Sequence, residues 1–154
     1  MSTSLRSLPQ TSDPRHSPAR PLVLVADDDE DTRLLFRTVL EVRGYDVIEA
    51  ADGEETVRSA ERAHPDLILM DGSLPRLSGV DATRRIRESD HNGRVPIVFI
   101  SGHGGPAFLA LAREAGCDEY LVKPFPLAQL EDVLEKYRGN QRTQLAELSF
   151  ARSV

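Results

Sequence analysis

The stretch Asp66–Gly79, DLILMDGSLPRLSG, decides how this chain folds. Leu67 to Met70 is an apolar run with the length of a strand buried on both faces, and it ends abruptly in Asp71. Gly72, Ser73, Pro75 and Gly79 follow, all of them turn formers, so the Asp71 carboxylate is expected at the rim of a sheet beside adaptable backbone. In open α/β sheets that rim is where ligands bind.

On the amino-terminal side, Leu22 to Ala26 (LVLVA) reads as a first buried strand that ends in a block of acids, Asp27, Asp28, Asp29, Glu30 and Asp31. The last three read as charges at a helix start. That helix is expected to use Leu35, Val39 and Val42 as one face and to stop near Gly44. A second strand is expected over Asp46–Ala50, then a helix opened by Asp52 and Gly53 with Val57 and Ala60 inward, ending before Pro65. Beyond Gly79, a third helix (Val80 to Glu88) carries Val80, Thr83 and Ile86 inward, and a turn over His91 to Arg94 leads to PIVFI, closed by Ser101. After a loop with three glycines, Gly102 to Pro106, a fourth helix aligns Phe108, Leu111, Ala112 and Ala115 and stops at Gly116. Tyr120, Leu121 and Val122 form a short fifth strand closed by Lys123 and Pro124. A last helix from about Pro126 repeats Leu127, Leu130, Leu134 and Tyr137, with Gly139 ending it. Five strand–helix units in residues 22–138 are the pattern of an α/β fold, a doubly wound parallel sheet covered on both sides.

A chain of 154 residues with 40% hydrophobic residues has room for one domain with a real core. Its net charge of −6 argues against a broad nucleic-acid or anionic-membrane surface, which would need clustered Lys and Arg, and favours proteins or cations as partners. Cys117 is the only cysteine, which excludes an intrachain disulfide or a cysteine-rich zinc site. No apolar segment approaches the ~18 residues of a membrane span and no signal-like apolar core opens the chain, so a cytoplasmic protein is expected. Residues 1–21, rich in Pro, Ser and Arg, are expected to be a disordered tail, and residues 139–154 to hold at most one docking turn through Leu145, Leu148 and Phe150.

If the strands are parallel, the first, third, fourth and fifth all end at one edge, which gathers Asp27, Asp28, Asp71, Ser101 and Lys123. Carboxylates this close repel unless cations compensate; Lys123 supplies one charge, and a hard divalent ion suited to oxygen ligands, Mg²⁺, supplies the rest. Lys123 is one of two lysines against seventeen arginines, and it stands directly before a proline at a strand end, which favours a specific role for an ammonium. An aspartate beside a metal and a lysine is a competent nucleophile toward phosphorus, because both cations neutralise charge on the phosphoryl oxygens, and Ser101 would donate to one of those oxygens. A magnesium phosphohydrolase working through an aspartyl phosphate is the enzymatic alternative. It generally needs a second carboxylate two residues after the nucleophile, where this chain has Ser73. An adaptor that keeps the fold without being phosphorylated would not need the full set. His16, His64 and His91 lack partners at metal-ligand spacing, and the glycines around His103 are not followed by the Gly-Lys-Ser/Thr of a phosphate loop.

These residues resemble a known family. The acidic pair Asp27 and Asp28, the segment MDGSLPRLSG, the hydroxyl of Ser101 and the run Lys123-Pro124-Phe125, in this order and spacing, make residues 22–138 similar to the receiver domain of two-component response regulators, of the stand-alone chemotaxis type. The resemblance implies a flavodoxin-like (βα)5 fold with strand order 2-1-3-4-5. It implies that Asp71 accepts phosphate from a histidine kinase or a histidine phosphotransfer protein, and that the protein catalyses only its own phosphotransfer and dephosphorylation. It further implies that Asp28 and Asp71 bind Mg²⁺ directly, Ser73 through its backbone carbonyl and Asp27 mostly through water. Lys123 would pair with the phosphoryl group, Ser101 would move toward it, and Tyr120 would change rotamer with Ser101. The surface of the fourth helix, fifth strand and fifth helix would then report the change to a downstream protein, with a phosphorylation-dependent homodimer left open. Leu74, Leu77 and Ser78 depart from the commonest family residues, Ser101 replaces the more usual threonine, and His103 stands where the family tunes phosphoryl lifetime.

Overall fold

In the computed structural model, which describes residues 20–89 and 92–138, β1 (Leu22–Ala26), β2 (Asp46–Ala50), β3 (Leu67–Met70), β4 (Ile97–Ser101) and β5 (Glu119–Val122) alternate with α1 (Glu30–Val42), α2 (Gly53–Ala63), α3 (Gly79–Glu88) and α4 (Pro106–Ala115). A last helix, α5, occupies residues 127–138. The five strands form one parallel sheet in the order β2-β1-β3-β4-β5, as the resemblance implied.

Local chemistry accounts for the helix starts. Asp29 caps α1 by accepting from Thr32 N, with Glu30 and Asp31 in the first turn, where negative charge meets the helix dipole. Asp52 caps α2 by accepting from Glu55 N at 2.8 Å, and Glu55 Oε2 accepts in return from Ala51 N at 2.9 Å. Ser78 caps α3 by accepting from Asp81 N, which explains why a serine serves where the family often has an acid. The cap of α4 is Gly105, which offers no side chain. Gly79 is required by close approach, because a Cβ there would lie 2.2 Å from the Asp71 carbonyl oxygen.

The strand period of two divides the apolar residues between two cores. Leu24, Ala26, Ile68, Met70, Ile97 and Phe99 face α2, α3 and α4, whose Ala60, Ala82, Ile86, Ala112 and Ala115 are buried against them. Val23, Val25, Leu67, Leu69, Val98, Ile100 and Leu121 face α1 and α5 through Phe36, Leu40, Leu130, Leu134 and Tyr137. Burial of each large aliphatic or aromatic side chain stabilises the fold by about 2 kcal/mol before the entropy of ordering is subtracted.

Three helix faces differ from expectation. In α1 the buried pair is Phe36 and Leu40, with Val39 packed partly beside them, whereas Leu35 is 61% and Val42 80% exposed. The cause is an excess of apolar residues on that helix: Leu34, Leu35, Phe36, Val39, Leu40 and Val42 offer more than one stripe, and the largest side chain takes the interior. Leu111 of α4 and Leu127 of α5 are likewise exposed, at 46% and 47%. Leu35 and Leu127 instead line an open apolar groove with Val39, Pro124, Phe125 and Leu130. His91, Gly139 and residues 1–19 and 140–154 lie outside the described residues. Arg20 and Pro21, expected to belong to the disordered tail, are instead held to the domain, because Arg20 donates to the Gly44 and Glu41 carbonyls and the Pro21 carbonyl accepts from Asp46 N at 2.9 Å.

The amino edge of the sheet is closed by Arg87. Its guanidinium donates to the carbonyls of Gly116, Gly93 and Val95 and to Asp118 Oδ2, which also accepts from Ile97 N at 2.8 Å. Among the described residues no helix is long and apolar enough to cross a membrane.

Candidate functional site

Parallel strands deliver their last residues to one edge, and the chain places chemistry at four of the five. β1 leads into Asp27, whose N–H donates to Ala50 O of β2 at 3.1 Å; β3 leads into Asp71, whose N–H donates to Ala26 O of β1 at 2.8 Å. These bonds extend the ladder by one residue and hold both aspartates rigidly. Asp27, Asp28 and Asp71 each direct an oxygen to within 4.8 Å of the others. Asp27 is 3% and Asp71 9% exposed, while Asp28 faces solvent.

The ammonium of Lys123 reaches Asp27 Oδ2 at 2.9 Å. Lys123 is positioned from β5, where its N–H donates to Ser101 O at 2.8 Å across the β4–β5 pair, and the Lys123–Pro124 peptide is cis. Asp27 is held further by Asp29 N, which donates to its Oδ1 at 2.9 Å, and by Arg33, which donates to its carbonyl at 2.8 Å and pairs with Glu49 at 3.3 Å. Among the described residues, Asp71 accepts from the Ser73 N–H alone, at 3.1 Å on Oδ1. Burial pushes the Asp71 carboxyl above the usual carboxylate range and the neighbouring charges of Asp27 and Asp28 add to the rise, while the Ser73 N–H and Lys123 oppose it.

Ser101 is fully buried, and its Oγ accepts from His103 N at 3.2 Å. An accepting hydroxyl keeps its own proton available for a further partner. Tyr120 stacks on Phe99 with ring centroids 6.0 Å apart, and its hydroxyl donates to the His103 carbonyl. Burial raises the Tyr120 phenol above its ordinary value, so it remains a neutral donor at physiological pH. The donor set is all oxygen, with three carboxylates close enough to need a cation and no His or Cys among them, which fits a hard divalent ion.

The structure thus brings Asp27, Asp28, Asp71, Ser73, Ser101 and Lys123 to one rim, with Tyr120 one layer behind. Two neighbours were not singled out from the sequence. Arg33 of α1 fixes the Asp27 backbone by donating to its carbonyl. Phe108, read as part of the inward stripe of α4, lies against Gly72. A glycine directly after the acidic strand end was the one available sign that something large approaches there.

Residues 23–135 match the response regulator receiver domain family, and the chain belongs to it. Receiver domains of two-component systems are signalling phosphoacceptors that take their phosphoryl groups from histidine kinases. Among relatives, the chain is 39% identical over 103 residues to the CAI-1 autoinducer sensor kinase/phosphatase CqsS of Vibrio cholerae, covering 66% of this chain and 15% of that protein. It is 38% identical over 130 residues to the transcriptional regulatory protein PrrA of Mycobacterium tuberculosis, covering 82% of this chain and 55% of that one. It is 30% identical over 118 residues to the polar-differentiation response regulator DivK of Brucella ovis, covering 77% and 96%. Of solved structures, the receiver domain of a sensor histidine kinase from Pseudomonas aeruginosa PAO1, which holds a magnesium ion in its active-site cleft, superposes with a TM-score of 0.73 at 37% identity, over 79% of this chain and 99% of that one. The chemotaxis protein CheY4 of Vibrio cholerae gives 0.73 at 28% identity, over 77% and 99%.

Proposed function

We propose that Asp71 is the phosphoacceptor of this receiver, and that residues 22–138 act as a single-domain response regulator, in the cytoplasm, for a histidine kinase or histidine phosphotransfer protein. The observation that supports this most strongly is the meeting of three carboxylates within 4.8 Å beside one ammonium, at the end of β1 and β3. In the reaction an Asp71 oxygen bonds to phosphorus as the donor's P–N bond breaks, and the donor imidazole leaves with that electron pair. Asp28, Asp71 and the Ser73 carbonyl would hold Mg²⁺, with Asp27 acting through water, and the ion would supply neutralisation of charge on the transferred oxygens.

Lys123 releases Asp27 in part and pairs with the phosphoryl group, and Ser101 donates its free proton to a phosphoryl oxygen. Movement of Ser101 breaks its hydrogen bond with His103 N and so loosens His103, whose carbonyl holds the Tyr120 hydroxyl; the surface of α4, β5 and α5 changes and alters binding of a downstream protein. The partners are proteins and not nucleic acid or membrane, and phosphorylation-dependent homodimerisation belongs to the same output. Incubation with acetyl phosphate and Mg²⁺ is expected to add one phosphate's mass to the wild type and none to Asp71→Asn. Sustained release of phosphate from a panel of monoesters would instead favour the phosphohydrolase alternative, and no metal-dependent modification under any condition would favour the adaptor.

A further inference from the structure

Phe108, in the first turn of α4, packs onto the bare Cα of Gly72, the residue that follows the acceptor. A Cβ built on Gly72, the residue directly after Asp71, would lie 2.6 Å from Phe108 Cζ, 2.8 Å from Cε1 and 3.3 Å from Ser101 Oγ. The ring therefore fills the volume that any side chain at position 72 would require, and it does so beside the Ser101 hydroxyl. Two aromatic neighbours hold it there: the His103 ring, tilted at a centroid distance of 5.3 Å, and Tyr120, met edge-on at 6.2 Å. The loop before it does not close the site by itself. Residues 102–107 are exposed, Gly102 and Gly105 border open space, and the N-terminus of α4 has no side-chain cap.

We propose that Phe108 is a positioning residue that walls the phosphoryl pocket on its α4 side, seating Ser101 and the Asp71–Gly72 turn against the transferred group and keeping water from the acyl phosphate; this rests on Asp71 being the acceptor. In the loss reaction a water oxygen bonds to phosphorus while the P–O bond to Asp71 breaks, the carboxylate is restored, and inorganic phosphate leaves with the water's proton passing to solvent. An aromatic ring offers water no acceptor strong enough to orient it for that attack, so its effect is exclusion. The bare Cα of Gly72 is the other half of the device: it leaves the ring its seat.

The test uses the full chain, phosphorylated with acetyl phosphate and Mg²⁺ and then freed of donor, with the bound phosphate followed by intact mass and thermal unfolding recorded in parallel. Phe108→Ala is expected to lose phosphate about fivefold faster than the wild type, and Phe108→Leu, which restores bulk, to return close to the wild-type rate. Gly72→Ala displaces the ring and is expected to speed loss as well, with Gly72→Ala/Phe108→Ala no faster than Phe108→Ala alone. A Phe108→Ala protein with a lowered melting temperature but an unchanged loss rate would reduce the ring to packing and overturn the proposal. So would single effects that multiply in the double variant. A wild type that takes up no phosphate would overturn the acceptor reading and this proposal with it, a result separate from either of those.

Discussion

At the amino edge of the sheet, Asp118 receives the Arg87 guanidinium at 2.8 Å and the Ile97 N–H at 2.8 Å, and Asp66 receives the Leu22 N–H at 2.8 Å. At the carboxyl edge, Asp27, Asp28 and Asp71 stand within 4.8 Å of one another beside the single ammonium of Lys123. The first arrangement sets its acids to tying strands to their neighbours, with Asp118 neutralised by the Arg87 guanidinium. The second leaves capacity over: Lys123 satisfies Asp27, while Asp71 is buried with one backbone N–H and a carboxyl that burial and like charge hold above the usual range. An acid matched with its own cation, as Asp118 is, holds a fold together, and acids in excess of their cations are prepared to take a metal ion and to react.

Removing the organising cation at each edge should separate these roles. Arg87→Ala removes the guanidinium that bridges α3 to the starts of β4 and β5 and leaves the Gly116 and Val95 carbonyls and Asp118 without it. We expect a loss of about 3 kcal/mol in denaturant unfolding, with the rate of acetyl phosphate modification in the folded protein unchanged. A modification rate that falls in step with stability would break the comparison. Lys123→Ala leaves Asp27 buried beside Asp71, but Lys123 is itself partly exposed, so the expected loss is smaller, about 2 kcal/mol. This variant should still be modified to some extent, and it should lose phosphorylation-dependent partner binding; retention of that binding in a pull-down would contradict its role.

The smallest effect sharpens the contrast most. Because the Asp71 carboxyl is raised in the folded protein, ionising it costs stability: the penalty is absent below the unfolded carboxylate pKa of about 4 and is complete once pH exceeds the raised folded value. Asp71→Asn should therefore melt higher than the wild type by roughly 2 °C at neutral pH without divalent ions, with the gain vanishing toward about pH 3. Added Mg²⁺ should narrow the gap by binding the wild type. Asp118→Asn should show the opposite sign at neutral pH, since that carboxylate is matched with Arg87.

How much of this was legible in the sequence depends on which kind of signal carried it. Strands that are buried on both faces leave short apolar runs, so Leu67 to Met70 and Ile97 to Ile100 marked their own ends, and parallel topology then put Asp71, Ser101, Asp27 and Lys123 at one rim. The inner face of α1 was not legible, because Leu35, Val39 and Val42 fit helical spacing as well as Phe36 and Leu40, and only the sheet selects between them. Leu111 and Leu127 misled for the same reason: periodicity ranks faces but does not measure exposure. Pairing inside the site was equally hidden. Nothing in the spacing of Asp27, Asp28 and Asp71 says which of them Lys123 will hold, and the contact between Phe108 and Gly72 depends on the angle at which α4 enters.

The difference between the matched and the unmatched aspartate is tested most directly by mapping the modification itself. The protein is treated with acetyl phosphate in Mg²⁺ or in EDTA, reduced with borohydride to trap acyl phosphates, and digested for tandem mass spectrometry. We expect the trapped group on Asp71, dependent on Mg²⁺, and none on Asp27 or Asp28. Label on Asp27, or equal labelling of Asp71 in EDTA, would contradict the assignment of the buried, cation-poor carboxylate as the reacting group.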